Sequence, residues 1–232
     1  MQIELAMDKL AFSADIFEKL KKTLALTFLE NGPMMEGVSL VNLGHNQTLF
    51  HQGDAAESCF LVVSGSIKIV SMNKNCESIL TIISKGELGG VLLMADQSAK
   101  FPGSVVALSQ TSVLTIPKIT LNNHWMKNSE ALKFINICVR NRMKQLQEDR
   151  LLRLSSVETR VIGFLQRHYI EKNNLNSKKI TRREIAMAVG AKTETIIRVL
   201  KKLERAGAIK THKSIISILD KSHLVTDLEN GN

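Results

Sequence analysis

The chain has 232 residues, a formal net charge of +9 and 44% hydrophobic content, enough for two modest cores. No apolar run reaches the length of a membrane-spanning helix, and the start lacks the basic-then-apolar layout of a secretory leader, so a cytoplasmic protein without membrane partners is the simplest expectation. Its three cysteines, Cys59, Cys76 and Cys138, make neither a C-x-x-C zinc pattern nor a disulfide framework, and no metal site is expected.

Residues 11–29 show helical spacing at Phe12, Ile16, Phe17, Leu20, Leu24 and Phe28, with Ser13 or Asp15 as cap and Asn31-Gly32-Pro33 as terminator. From Val38 to Ile116 the texture becomes β-rich, with strands expected at 49–50, 60–63, 67–71, 79–83, 104–108 and 112–116. Turn signals at Gly53-Asp54, Ser64-Gly65, Asn73-Lys74-Asn75 and Gly86 separate them. Short, evenly spaced strands with glycine punctuation predict a jelly-roll or barrel-like unit, although an open sheet has the same strand count.

Helical periodicity returns from about Asn128 to Leu154. Leu132, Ile135, Val139, Met143 and Leu146 form a coiled-coil-like stripe with Arg140, Arg142, Lys144 and Gln147 off it. The stripe could pack on the β unit of its own chain. A dimer seam is the reading adopted, because a protein reading paired half-sites needs a two-fold axis.

The stretch ITRREIAMAVGAKTETIIRVLKKLERAGAI, Ile180 to Ile209, reads as a helix-turn-helix. Thr181 and Glu184 make a capping box, Ile185, Ala188 and Val189 give one apolar face, and Gly190 permits the turn. The second helix, about Thr193 to Arg205, sets Ile196, Val199, Leu200 and Leu203 on one side. Thr193, Glu194, Thr195, Ile197, Arg198, Lys201 and Lys202 lie on the other, a face suited to a major groove and its phosphates. Thr181, Arg182 and Lys192 flank it. Two apolar runs around Thr211-His212-Lys213-Ser214 read as a two-stranded wing, whose His212 and Lys213 either touch phosphate or form a plain exposed turn.

Charge is distributed accordingly. Residues 151–232 hold 16 Lys and Arg against 8 Asp and Glu, while the first 150 hold 15 against 14, with no arginine before Arg140. A nearly neutral front and a basic back indicate two domains, of which the second meets a polyanion, double-stranded DNA.

Taken in order, the motif TLFHQGDAAESCFLVVSGSIKIV and the helix-turn-helix resemble the Crp/Fnr regulators of bacteria over nearly the whole chain. The resemblance implies an α+β fold: an N-terminal β-roll effector domain of jelly-roll type (1–127), a long dimerisation helix (128–154) and a C-terminal winged helix-turn-helix (155–232). It also implies a homodimer, a palindromic operator and RNA polymerase as partner. Cyclic-nucleotide-binding members carry a Gly-Glu pair on a short helix, the Glu holding the ribose, and later an Arg-Ser or Arg-Thr holding the phosphate. Here the stretch GELGGVLLMADQSAKFPGSVVA, Gly86 to Ala107, sets Val91 in the place of that Glu and Phe101-Pro102 in the place of that pair. Glu87 matches the acidic residue of the preceding turn.

Lys100 is the only nearby cation and lacks a bidentate fork. Ordinary cyclic-AMP binding is therefore not expected, and no cofactor is assigned. Glu87, Gly90, Val91, Leu92, Lys100, Phe101 and Pro102, with Val139 and Met143 from the long helix, are the candidate effector pocket, either apolar or filled by its own side chains. Oxygen-sensing members need clustered N-terminal cysteines, and none precedes Cys59. For haem, His45, His51, Cys59, Cys76 and His124 qualify by residue type only.

Two other classes fit the residues less well. A cyclic-nucleotide-responsive signalling or scaffold protein would not need the polar reading face. An enzyme would need a nucleophile triad, a metal cluster or a phosphate loop, and the glycines at 86–90 lack a P-loop's Lys-Ser/Thr.

Overall fold

A computed structural model describes residues 32–73, 76–170, 180–212, 215–220 and 222–224, together with 21, 22, 26, 28 and 29. Most of the expected first helix, Lys74-Asn75 of one turn, and Lys213-Ser214 of the wing lie outside the described residues. Two compact units are present, with the boundary between Arg142 and Met143 inside one long helix; residues 77–79 group with the second unit.

The first unit is built on two four-stranded sheets. One runs in the order β1 (Ser39–Leu43), β8 (Thr111–Pro117), β3 (Ser58–Ser64), β6 (Leu88–Gly89). The other runs β2 (Thr48–Phe50), β7 (Ser104–Ala107), β4 (Ser66–Asn73), β5 (Cys76–Ser84). The pairings of β8 with β1 and β3, and of β7 with β2 and β4, are antiparallel. The open-sheet alternative therefore fails, and the expected six strands are eight among the described residues. β3 explains why period-two reasoning was weak here: Cys59 to Val63 are all buried, giving a continuous apolar run in place of an alternation.

Behind the sheets, Trp125 is fully buried, donates its indole N–H to the Met34 carbonyl at 2.9 Å and meets the edge of Phe28 at 5.4 Å. Both rings belong to the core of this unit. After a short helix α1 (Lys118–Asn123), the long helix α2 (Ser129–Leu152) begins with Asn128 accepting the Glu130 and Ala131 amides at 3.0 Å each. These bonds satisfy donors that a helix start leaves orphaned.

The stripe on α2 must be corrected. Ile135 is 4% exposed and belongs to the core of its own β-roll, so it cannot face a partner. Val139 also packs partly against that core, whereas Leu132, Met143 and Leu146 are 38%, 50% and 48% exposed. A 3.6-residue repeat shows that a helix has an apolar side, but two apolar sides a third of a turn apart read as one stripe.

The second unit packs α3 (Val157–Leu165), α4 (Arg182–Val189) and α5 (Thr193–Arg205) with a two-stranded antiparallel ribbon, β9 (Ile209–His212) and β10 (Ile215–Ile218). Val161, Leu165, Ile185, Ile196 and Ala208 are completely or almost completely buried and make its core. Arg167, just after α3, forks onto Asp149 and, at 3.3 Å, Glu148 of the last turns of α2.

Candidate nucleic-acid interface and effector site

The helix-turn-helix rests on two terminus devices. Thr181 caps α4: its hydroxyl accepts the Glu184 amide at 3.1 Å, while the Glu184 carboxylate accepts the Thr181 amide at 2.9 Å. Glu184 is buried, and the Thr181 hydroxyl also donates to it, so this threonine is committed to the cap before it can reach any ligand. At the far end Gly190 adopts φ 67°, a left-handed conformation that costs a glycine nothing, and the chain turns into α5. Sequence reasoning missed a third device. The Arg160 guanidinium, from α3, donates to the carbonyls of Val189 at 2.8 Å and Gly190 at 3.4 Å, clamping the turn.

α5 divides cleanly. Ile196, Val199, Leu200 and Leu203 are buried, while Glu194, Arg198 and Lys201 are exposed and Thr193, Thr195 and Ile197 are half-exposed. Arg198 lies one turn from Thr195, with guanidinium and hydroxyl 3.5 Å apart. Lys192, exposed, stands immediately before α5, and Arg182 is exposed in the first turn of α4. The outlier is Lys202, expected to be free for phosphate: its ammonium sits 2.8 Å from the Glu158 carboxylate of α3.

The wing is tied to α5 through Glu204, whose carboxylate accepts both the Thr211 amide at 2.8 Å and its hydroxyl at 3.1 Å. Those two bonds hold the Glu204 carboxyl below its usual range, with Arg182 and Lys210 adding smaller effects of like direction. Lys210, exposed on β9, was not singled out from sequence; its exposed position beside buried Ile209 is the signal that marks it. His212 is exposed.

In the β-roll, the stretch from Glu87 to Pro102 is built around an aromatic stack. Glu87 is turned back onto its own hairpin, its carboxylate accepting the Ser84 amide at 2.6 Å. Gly90 opens a short 3-10 turn, Val91–Ala95, in which Val91 is half-buried and Leu92 is 61% exposed. Phe101 is 3% exposed and stacks on Phe50 with centroids 4.5 Å apart and planes 11° from parallel. A side-chain carbon on Gly90 would lie 3.4 Å from the Phe101 ring, so the ring occupies the space over that glycine. The Phe101 backbone is pinned as well, its amide donating to Asp54 and its carbonyl accepting from Gly53, both at 2.9 Å. Lys100 and Pro102, on either side, are exposed. Of the sulfur and nitrogen ligands named by type, Cys59 is buried in the core, and burial pushes its thiol up to about 12. His45 gives its Nδ1 to the Leu108 carbonyl at 2.9 Å.

Residues 40–128 match the family model of the cyclic nucleotide-binding domain, and residues 159–226 match that of the Crp-like helix-turn-helix domain. The chain belongs to the Crp/Fnr family of transcription regulators. This regulator is 25% identical, over 179 residues that cover 74% of it and 85% of the relative, to the cAMP-activated global transcriptional regulator CRP of Escherichia coli O6:H1. It is 28% identical over 189 residues to the Anaerobic regulatory protein of Pasteurella multocida, covering 78% of this chain and 68% of that one. Its fold is shared with the solved structure of FixK2 from Bradyrhizobium japonicum, at a TM-score of 0.68 and 17% identity, over 81% of this chain and 95% of that one. The family is one of DNA-binding regulators and not of enzymes, so the regulator reading stands over the enzyme and scaffold alternatives. Among the described residues no helix is long and apolar enough to cross a membrane.

Proposed function

We propose that this Crp/Fnr regulator acts as a homodimer on a two-fold operator, reads base edges with Glu194, Thr195 and Arg198, and is not controlled by a cyclic nucleotide. The carrying observation is the division of α5, which buries its whole apolar side and leaves Glu194 and Arg198 exposed one turn apart. Glu accepts from cytosine N4 and Arg donates in a fork to guanine O6 and N7. Thr193 and Ile197 set the outer preference, Ile197 offering only an apolar contact to a thymine methyl or a sugar. Arg182, Lys192 and Lys201 supply phosphate contacts, and the bound dimer would act through RNA polymerase, the partner that the family resemblance implies.

The cyclic-nucleotide part rests on Phe101 and Val91. A phosphate set against a buried aromatic stack and a valine would be a charge without compensation, at a cost of several kcal/mol. The test is a binding-site selection on the wild-type and Arg198→Ala proteins. The substitution should cost about 1–3 kcal/mol on the preferred palindrome and relax one position of the motif. An unchanged motif at unchanged affinity would remove the reading face from this role.

A further inference from the structure

On α2, burial separates two stripes that the sequence merges. Ile135 is buried in the β-roll and Arg142 donates to the Thr81 hydroxyl, so this side is occupied by its own chain. A second stripe, beside the first and meeting it at the half-buried Val139, runs Leu132, Asn136, Val139, Met143 and Leu146, with steps of four, three, four and three residues, a true heptad register. Four of these five are apolar. The exception, Asn136, is exposed, and its amide has no hydrogen-bond partner among the described residues.

We propose that Asn136 pairs with Asn136 of a second copy across the dimer axis and pins the two α2 helices parallel and in register. The inference rests on the homodimer reading above and adds the alignment within it. In a parallel, in-register pair the two carboxamides face each other, the NH2 of one donating to the oxygen of the other. Any slipped or antiparallel alignment sets each amide against Leu132, Val139 or Met143 and buries it unpaired, without the hydrogen bonds that water supplied. A polar residue at one inner position is known to exchange stability for register in this way. Charge points in the same direction. Lys133 and Arg140 form a basic row beside the stripe, and an antiparallel pair would bring the two basic rows together. Register matters to function, because a slip of one heptad moves one reading head by about 10 Å against the other and breaks the half-site spacing.

The experiment uses the full chain carrying Asn136→Asp, Asn136→Lys and Asn136→Val, with Met143→Asp as the control for the seam itself. Asn136→Asp and Asn136→Lys should each sediment as monomers at low salt, with native circular dichroism, and an equimolar mixture should restore a dimer that binds the palindrome. Asn136→Val should dimerise about tenfold more tightly or more, yet accept higher oligomers or altered half-site spacings. If Asn136→Asp is as dimeric as wild type while Met143→Asp is monomeric, Asn136 does not lie on the axis and the proposal falls with the dimer intact. If both remain dimeric, the outward stripe is not the seam. If Asn136→Val leaves the dissociation constant and spacing unchanged, the register role is overturned.

Discussion

Lys202 of the recognition helix and Glu158 of α3 form an ion pair at 2.8 Å, which ties the back of the reading helix to the helix it packs on. Lys201, its neighbour, is exposed and has no such tether among the described residues. Two adjacent lysines that look equivalent in sequence therefore differ in their surroundings, and different effects are expected of their removal. Lys202→Ala should cost less than about 1 kcal/mol of stability, as exposed pairs do, and leave the salt dependence of DNA binding unchanged. Lys201→Ala should leave stability alone and lower the slope of log K against log salt by about 1. Urea unfolding and salt titrations of both proteins check this, and equal slopes would return Lys202 to phosphate contact.

Arg160 makes a second prediction. Its guanidinium closes the carbonyl end of α4 at Val189 and Gly190, where the turn sets the direction of α5. Charge-assisted bonds of this kind are worth about 1.5–3 kcal/mol. Arg160→Ala should destabilise the C-terminal unit by about that amount and weaken all DNA sequences alike, because it disturbs the aim of α5 and not a base contact. Arg160→Lys should recover part of the loss. A selection that returns a changed motif for Arg160→Ala would show direct reading instead.

What the sequence revealed and withheld follows from the range of the interactions involved. The capping box at Thr181, the turn at Gly190 and the buried side of α5 were legible, because each is decided within about one turn of helix. β6 was not: it is the pair Leu88–Gly89, and Gly89 lies there because Phe60 leaves no room for a side chain, an added carbon falling 2.2 Å from the ring. β1 carries little local signal: Val41 and Leu43 are buried around exposed Asn42, a short alternation with few residues to count. Ile135 shares the spacing of a seam yet lies in the core, since periodicity marks an apolar side without saying whether a partner or the chain's own core covers it. Lys202 and Arg160 needed partners 44 and 29–30 residues away, which no local pattern encodes.

Dimerisation can be probed more cleanly than the periodicity suggests. Val139 packs partly on the β-roll core, so an aspartate there would injure the fold as well as the seam. Met143 is 50% exposed. Met143→Asp should sediment as a monomer with a melting temperature within a few degrees of wild type, whereas Val139→Asp should lose dimer and stability together. A dimeric Met143→Asp protein would place the seam elsewhere.

The aromatic stack predicts the response of the β-roll to ligands. Calorimetry with cyclic AMP or cyclic GMP should show no binding with a submicromolar dissociation constant. Phe101→Ala should cost about 3–5 kcal/mol, the usual range for emptying a buried phenylalanine site, because the ring is 3% exposed and stacked on Phe50. Submicromolar binding by the wild type would mean that the ring swings out, and a small loss for Phe101→Ala would support that motion.

Acid should loosen the wing through Glu204. The Thr211 amide and hydroxyl stabilise the Glu204 carboxylate, so its folded value is depressed below the ordinary range. A depressed carboxyl contributes its stabilisation above the unfolded value and loses it as pH falls through the folded value, so the window lies at and below about pH 4. Hydrogen exchange at the Thr211 amide, corrected for intrinsic rates, should show protection that is constant above about pH 5 and falls toward about pH 3. Glu204→Gln keeps an acceptor oxygen but cannot titrate, so its Thr211 protection should be weaker near neutrality and level across the same range. Acid loosening that persists in Glu204→Gln would assign the titration to another group, because the substitution removes this one and leaves the contact geometry in place.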